Sequence, residues 1–328
     1  MQGLYFIVLF IVGFTWLSGS VLAFTDVKTI TGMDYDVKVS SVLQVKDRDY
    51  SDKNMSSLDI SKAWCEGAAG TGIGEWIQLD LKNNSQIADL EAIHLKILPG
   101  YVKTDQLFKA NARPSKIVVQ VYDKMTKVSI TQLKAYRFNL ADQPSMQSFS
   151  IPIERKIDPS KINILIKIED VFAGSKYDDM CISEIRIFLQ EKGKEILELP
   201  YGEREQLRLK EGEYIKRELP KAMEGNFKAI QGLIRLSEGA YITGVEGSEW
   251  LNEIYLDILV KHPYPFLFIL SRQEQSLSDK VIQELLAPVS DKHSHRELLT
   301  AVKTAQRSGL NLPFMKKLID FYSIPERN

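Results

Sequence analysis

The sequence predicts an antiparallel β-sandwich or jelly roll in its first part, followed by an all-α helical domain. Between residues 24 and 199, apolar and polar residues alternate in short runs rich in β-branched and aromatic side chains. That alternation is typical of strands with one buried face. From about Arg204 onward the apolar spacing becomes three and four residues, as in amphipathic helices. The 328 residues suffice for about two domains of ordinary size.

Runs with the alternation of strands recur through the first part of the chain. They include residues 75–81, 116–122, 162–168 and 182–189. Gly, Pro, Asn and Asp cluster between these runs, and such clusters form turns. Many short strands separated by turns favour a sandwich over alternating βαβ units.

The second part, residues 204–328, is expected to contain five or six helices. Apolar stripes at helical spacing cover residues 230–234 and 251–259. Helix breaks are expected at Gly225 or 239–247, at His262–Pro263, at 288–294 and at 309–313. The turn at residues 259–267 resembles the hinge between stacked helices in HEAT-like or α-solenoid domains. Pro200 and Gly202 indicate a linker at residues 200–203, between a β-sandwich domain at 24–199 and the helical domain.

The N-terminus predicts export from the cytoplasm. Residues 4–17 are mainly apolar, and Val21 and Ala23 fit the −3 and −1 positions of a signal-peptidase site. We therefore expect a signal peptide at residues 1–23, cleaved after Ala23, and a secreted or periplasmic protein with no membrane span after cleavage. Because residues 1–3 contain no Lys or Arg, an uncleaved N-terminal membrane anchor is the alternative.

The composition excludes several function classes. Lys and Arg number 42 against 43 Asp and Glu, so the formal charge is −1 and no basic field attracts nucleic acid. With two cysteines and four histidines, zinc sites of the usual spacing cannot be assembled. We expect no nucleic-acid partner, no metal and no other cofactor.

A glycine-rich motif follows Trp64, with glycines at positions 67, 70, 72 and 74. A phosphate cradle is one interpretation, since glycine lets the backbone approach a ligand closely. However, no Lys-Ser/Thr pair follows, and a strand rather than a helix comes next. The favoured interpretation is a tight connection into a central strand, with Trp76 in the core.

Two further motifs contain polar side chains in loops. Tyr101 and Arg113 lie on adjacent predicted loops, where they would either bind a polar ligand or latch the loops together. Tyr177, Asp178 and Asp179 precede a strand. Their carboxylates would chelate Ca²⁺, or pair with Arg113 and cap turns.

Taken together, these motifs resemble the discoidin-like jelly rolls of exported bacterial proteins, in particular the NADase-type glycan-binding (translocation) domain family. The resemblance covers about residues 50–190. The matching positions are Trp64, Glu66, Gly74, Glu75, Trp76, Tyr101, Asn111, Arg113, Tyr177, Asp178, Ser183 and Glu184. It implies a binding module related to the galactose-binding group, in which loops at one end of the sandwich hold a ligand. It does not imply the NAD-hydrolysing domain of that family's namesake.

The resemblance places a ligand site on the loops at one end of the sandwich. The predicted ligand-binding residues are Glu66, Tyr101, Asn111, Arg113, Tyr177 and Asp178. Cys65 and Cys181 depart from the family pattern but lie within two of its motifs. In an oxidising compartment two cysteines are expected to pair, although two separate buried thiols remain the alternative.

Two hypotheses for function remain. The first is an exported, non-catalytic binding or adaptor protein, with a jelly roll that binds a glycan or other cell-envelope ligand and a helical domain that binds a protein. The second is a cell-envelope carbohydrate hydrolase that uses Glu66 with Asp178 or Glu184 as general acid and base. Because no Ser/His/Asp or Cys/His motif is present, the binding hypothesis is favoured.

Overall fold

The computed structural model describes residues 28–33, 35–57, 59–82, 90–131, 134–195, 201–237, 245–287 and 292–324. The predicted signal segment and its cleavage site lie outside the described residues. Within them, no helix combines the length and the apolar character needed to cross a bilayer.

The first part of the chain folds into two antiparallel sheets. The strands are β1 (Lys28–Met33), β2 (Tyr35–Val39), β3 (Trp64–Cys65), β4 (Trp76–Leu81), β5 (Leu90–Pro99), β6 (Arg113–Asp123), β7 (Tyr136–Asn139), β8 (Gln147–Pro152), β9 (Ile162–Phe172) and β10 (Cys181–Glu195). The first sheet has the order β1-β10-β5-β8, with β3 also paired to β10, and the second has the order β2-β4-β9-β6-β7. The predicted antiparallel sandwich followed by helices is confirmed.

The core of the sandwich lies between the two sheets, and alternation within each strand decides which side chains enter it. In β4, Ile77, Leu79 and Leu81 are buried and belong to the cluster between the sheets. Trp76 is out of phase with them and only half-buried, so its predicted place in the core is wrong. Trp64 of β3 is fully buried in that cluster instead.

The chain after the sandwich is helical. A short helix, α1 (Asp105–Ala110), lies within the sandwich, and the later helices are α2 (Tyr201–Ala222), α3 (Phe227–Leu236), α4 (Val245–Lys261), α5 (Pro263–Leu270), α6 (Gln275–Leu286), α7 (His295–Arg307) and α8 (Pro313–Tyr322). We call α2–α8 the helical region. It has seven helices in its described part instead of five or six, because an unpredicted break separates α5 from α6 at residues 271–274. No glycine or proline occurs there; the Ser271 hydroxyl donates to the carbonyl of Phe268 at the end of α5.

Helix α5 forms the centre of the helical region. Its sequence is apolar on all sides, and its residues 266–270 are all buried. It contacts α3, α4 and α7, as expected for a helix without a polar face. Helix α2 begins at Tyr201, inside the segment predicted to be the linker.

The sandwich and the helical region share a hydrophobic core. Leu98, Val102, Phe108 and Met146 of the sandwich are buried in the same cluster as the apolar side chains of the helices. A buried polar contact accompanies that cluster. Arg235 of α3 donates from Nη2 to Oε2 of Glu184 on β10 over 2.5 Å, and both side chains are more than nine-tenths buried.

We expect Arg235→Met to destabilise the protein strongly. The substitution leaves the buried Glu184 carboxylate without its main counter-charge, since the next cation, Arg186 Nε, is 3.9 Å from the other carboxylate oxygen. Removing one partner of a buried pair should lower the free energy of unfolding by about 3 kcal/mol, measured by urea denaturation at pH 7. Arg217→Met, on the exposed surface of α2, is the control and should change it by less than about 0.5 kcal/mol.

A second expectation concerns Glu211 of α2. Burial raises the pKa of its carboxyl group from 4.5 to about 7, so folding favours the protonated acid. The contribution of the protonated Glu211 side chain to stability is therefore complete below about pH 4.5 and is lost as the pH rises through 7. Glu211→Gln should leave stability unchanged at pH 4 and raise it by about 1 kcal/mol at pH 8, a small value because the group is half-exposed. Thermal unfolding at both pH values checks this, with exposed Glu213→Gln as the control.

Candidate loop-end binding site

Strand register brings four loops together at one end of the sandwich. The pairs that fix this arrangement are Val39 with Ile77, Arg113 with Phe172, and Glu184 with Leu98. Each pair lies near the end of one strand and the start of another. The segments 40–50, 66–75, 100–112 and 173–180 therefore emerge on the same side, which we call the loop end.

The predicted disulfide between Cys65 and Cys181 is present at the base of the loop end. The two cysteines are direct partners in the pairing of β3 with β10. Both are buried in a small cluster with Ala63, against which Tyr50 and Tyr101 pack. The bond joins residues 116 positions apart in the sequence and lies beneath the loops that carry these tyrosines.

Above the disulfide lies a group of aromatic side chains around an arginine. The rings of Tyr50 and Tyr101 are nearly perpendicular, with centroids 6.1 Å apart. Arg48, which is exposed, donates from Nη1 to the Tyr50 hydroxyl at 3.3 Å. This hydrogen bond, with smaller electrostatic contributions from Tyr101 and Tyr177, raises the pKa of Arg48. Tyr177 lies on the neighbouring loop-end segment 173–180, and we call Arg48, Tyr50, Tyr101 and Tyr177 together the tyrosine platform.

Tyr177 is the most exposed of the three tyrosines of the platform. Its side chain is 41% exposed, and Lys176 Nζ lies 4.9 Å from the ring centroid. Tyr101 is half-buried, and its hydroxyl donates to the carbonyl of Ser61 at 3.2 Å. Tyr101 and Tyr177 are among the residues predicted from the sequence, whereas Arg48 and Tyr50 are not. The sequence feature that could have indicated them is an arginine and a tyrosine two positions apart, in a polar segment without the periodicity of a strand or a helix.

Buried polar groups hold the backbone beneath the platform. Asn54 donates from Nδ2 to the carbonyls of Asp49 and Ala63 at 2.8 and 3.0 Å, which fixes the segment carrying Tyr50. The Ser183 hydroxyl donates to the carbonyl of Gly100 and accepts from the amide of Val102. Both chain neighbours of Tyr101 are thereby restrained.

Glu66 lies under the glycine-rich loop rather than at its surface. Its side chain is fully buried, and its carboxylate accepts from the amides of Ala68 at 2.7 Å and Met180 at 3.4 Å. Burial raises the pKa of Glu66, and the two amides oppose that effect. Gly72 has a φ of +78°, and a Cβ there would lie 2.7 Å from Cβ of Met180. The glycine therefore permits the loop to pack closely over this carboxylate.

Asn111 and Arg113 are also buried and bonded within the sandwich. Asn111 donates from Nδ2 to the carbonyl of Leu107 at 2.8 Å, at the end of α1. Arg113 makes a bidentate pair with Asp142, with both N–O distances 2.6 Å. Its guanidinium also lies 4.7 Å from the ring centroid of Phe108. Arg113 therefore pairs with Asp142, whereas the sequence indicated a latch with Tyr101 or a pair with the acidic motif at 177–179.

The two other acidic residues indicated by the sequence, Asp178 and Glu184, lie in different environments. Asp178 is exposed at the loop end, whereas the Glu184 carboxylate is 1% exposed and bonded to Arg235 and Gln231 of α3. Glu184 thus belongs to the contact with the helical region. Across the described ranges, no three His, Cys, Asp or Glu side chains are grouped as metal ligands.

These features define a discoidin-like β-sandwich whose loops converge at one end. Residues 29–188 match the family described as the NAD glycohydrolase translocation F5/8 type C domain.

Several solved structures are similar to part of the chain. An F5/8 type C domain from Bacteroides fragilis has 12% identity and a TM-score of 0.34, over 49% of this chain and 97% of that one. CpGH89CBM32-5 from Clostridium perfringens, in complex with GalNAc-β-1,3-galactose, has 12% identity and a TM-score of 0.33, over 47% and 94%. Arabinofuranosyltransferase AftD from Mycobacteria has 13% identity and a TM-score of 0.32, over 49% of this chain and only 11% of that one. No curated protein matches the sequence.

We expect Arg113→Met to affect stability. It removes a bidentate charge-assisted contact with the partly exposed Asp142 and a cation–π contact with the buried Phe108. The free energy of unfolding should fall by about 2 kcal/mol, measured by chemical denaturation. Arg137→Met provides the control, because Arg137 makes an exposed pair with Glu169. Equal stability of the two variants would contradict a structural role for Arg113.

Proposed function

We propose that this protein is an exported, non-catalytic binding protein that binds a glycan through the tyrosine platform. The observation that carries the proposal is the presence of Arg48, the Tyr50–Tyr101 ring pair and the exposed Tyr177 at the loop end of a sandwich that matches the F5/8 type C domain family. Carbohydrate binding is the function such a domain suggests. Export is supported by the apolar N-terminal segment and by the disulfide, because disulfides persist in oxidising compartments.

The chemistry of the platform suits a sugar. Tyrosine offers a large apolar ring face with a polar hydroxyl, and it loses little conformational entropy on binding. The aliphatic C–H faces of a pyranose would stack on the exposed ring of Tyr177. The hydroxyl groups of the sugar would form hydrogen bonds with Arg48, with tyrosine hydroxyls and with the exposed carboxylate of Asp178. A few polar groups around an apolar surface are the usual composition of a specific small-ligand site.

The predicted ligand-binding residues take two roles in this proposal. Tyr101, Tyr177 and Asp178 contact the glycan. Glu66, Asn111 and Arg113 shape the loops, because their polar atoms already bond within the sandwich. Loops positioned by a rigid scaffold in this way are common binding surfaces.

We expect Tyr177→Ala and Tyr101→Ala to weaken glycan binding. Each substitution removes an aromatic contact, and the dissociation constant should rise about tenfold for a central contact of this kind. A glycan array with the full chain identifies the tightest-binding oligosaccharide, and calorimetry then measures the variants. Tyr122→Ala is the matched control, since Tyr122 lies near the opposite end of β6 from the loop end.

Two outcomes would overturn the proposal. One is that Tyr177→Ala and Tyr101→Ala both bind the oligosaccharide with the dissociation constant of the unmodified chain, as Tyr122→Ala does. The other is release of new reducing ends from the array oligosaccharide by the unmodified chain and not by Glu66→Gln. That second result would favour the hydrolase hypothesis.

The protein partner of the helical region stays a prediction. The surface to test first is the open groove lined by Leu312, Pro313 and Ile319 between the end of α7 and α8. Because the helices share a core with the sandwich, such tests need the full chain: an isolated helical region would expose the apolar surface that Leu98 and Val102 cover.

A further inference from the structure

The helical region contacts the loop end through α1. Asp105, in the first turn of α1, forms an ion pair with Arg272, which lies in the break between α5 and α6. Val102, just before α1, and Phe108, within it, are buried in the core that the sandwich shares with the helices. Helix α1 is therefore attached to the helical region by a charge contact and by apolar packing.

Arg272 is well fixed on the helical side of this contact. Its side chain is 4% exposed, and its guanidinium lies 4.4 Å from the ring centroid of Phe268. Its carbonyl accepts from the amide of Met146 at 3.1 Å. Burial lowers the pKa of Arg272, and the Asp105 carboxylate opposes that effect. The guanidinium is thus held in one place by contacts on several sides.

The other end of α1 holds the segment that carries Tyr177. The carbonyl of Ala110, the last residue of α1, accepts from the amides of Lys176 and Tyr177 at 3.1 and 2.8 Å. Close packing accompanies these bonds, because a Cβ on Gly174 would lie 2.6 Å from the same carbonyl oxygen. A displacement of α1 would therefore displace the backbone of Tyr177.

Tyr101 is coupled to the same helix from the other side. It lies four residues before Asp105, and Val102, its neighbour, is fully buried in the shared core. Tyr101 and Tyr177 are thus both connected to α1, Tyr101 by four residues of chain and Tyr177 by its hydrogen bond to Ala110, and α1 is connected to Arg272.

We propose that Arg272 is a positioning residue for the tyrosine platform. Through Asp105 and α1 it fixes the backbone of Tyr101 and Tyr177, so that docking of the helical region sets the geometry of the loop end. The consequence for glycan affinity rests on the proposed function; the positioning itself does not.

Hydrogen exchange of the full chain, followed by mass spectrometry, tests the positioning. Asp105→Asn is the main variant, because its side chain is 67% exposed and its loss should not prevent folding. Arg272→Met removes the other partner. In both variants the amides of residues 101–104 and 174–178 should exchange about three- to tenfold faster, as expected for a coupling through a packed network. Asp105→Glu should restore the original rates.

The control for these variants is Asp320→Asn. It removes the same charge from α8, which packs against α6 and α7, and it should leave those rates unchanged. Unchanged exchange at 174–178 in both Asp105→Asn and Arg272→Met would overturn the positioning role, whether or not a glycan binds.

Calorimetry with the tightest-binding array oligosaccharide tests the consequence for affinity. The dissociation constant should rise about three- to tenfold in Asp105→Asn and recover in Asp105→Glu, with melting temperatures close to that of the unmodified chain. Faster exchange with an unchanged dissociation constant would overturn the link to affinity alone. Failure of the unmodified chain to bind any array glycan would overturn the proposed function instead, and the exchange rates would still decide the positioning role.

Discussion

Burial of the Glu184 carboxylate is the constraint on which the arrangement of the two parts depends. A carboxylate excluded from water costs several kcal/mol unless a cation and hydrogen-bond donors surround it. Arg235 and Gln231 of α3 supply both. Burial of the apolar cluster around Leu98 and Val102 contributes much of the free energy of docking, because removing apolar surface from water is favourable. The charge pair contributes specificity, because a displacement of α3 would remove the donors that bond Oε2 of Glu184.

Strand β10 transmits this constraint to the loop end. Its first residue, Cys181, forms the disulfide under Tyr50 and Tyr101. Two residues later Ser183 holds the backbone around Tyr101, and the next residue is Glu184. Contacts with the tyrosine platform and with the helical region therefore arise within four consecutive residues of one strand. A shift in the register of β10 by one residue would disrupt both, because alternate side chains point to opposite faces.

Local patterns predicted the fold well, and contacts between distant residues could not be predicted in the same way. Alternation predicted strands such as β6 and β9, since side-chain direction in a strand depends only on position along it. The break after α5 was missed because it contains no glycine or proline. Asp142 as the partner of Arg113 was missed for a different reason: nothing local indicates which carboxylate the fold will bring to an arginine 29 positions away.

The same distinction explains the candidate site. Tyr101 and Tyr177 were predicted because they lie in motifs shared with a family, whereas Arg48 and Tyr50 lie in an aperiodic segment. Their position depends on Asn54 and on packing against the disulfide. Both contacts arise only after the strands have paired.

Asn54 has a practical consequence for producing this protein. Asn54, Met55 and Ser56 match the acceptor sequence for N-linked glycosylation. In the folded protein the Asn54 side chain is buried, and its amide nitrogen is bonded to two carbonyl groups. Attachment of an oligosaccharide to that nitrogen would require the segment to be unfolded and would prevent it from closing again. In a eukaryotic secretory host, glycosylation at this position would therefore compete with folding, and a bacterial host avoids that competition.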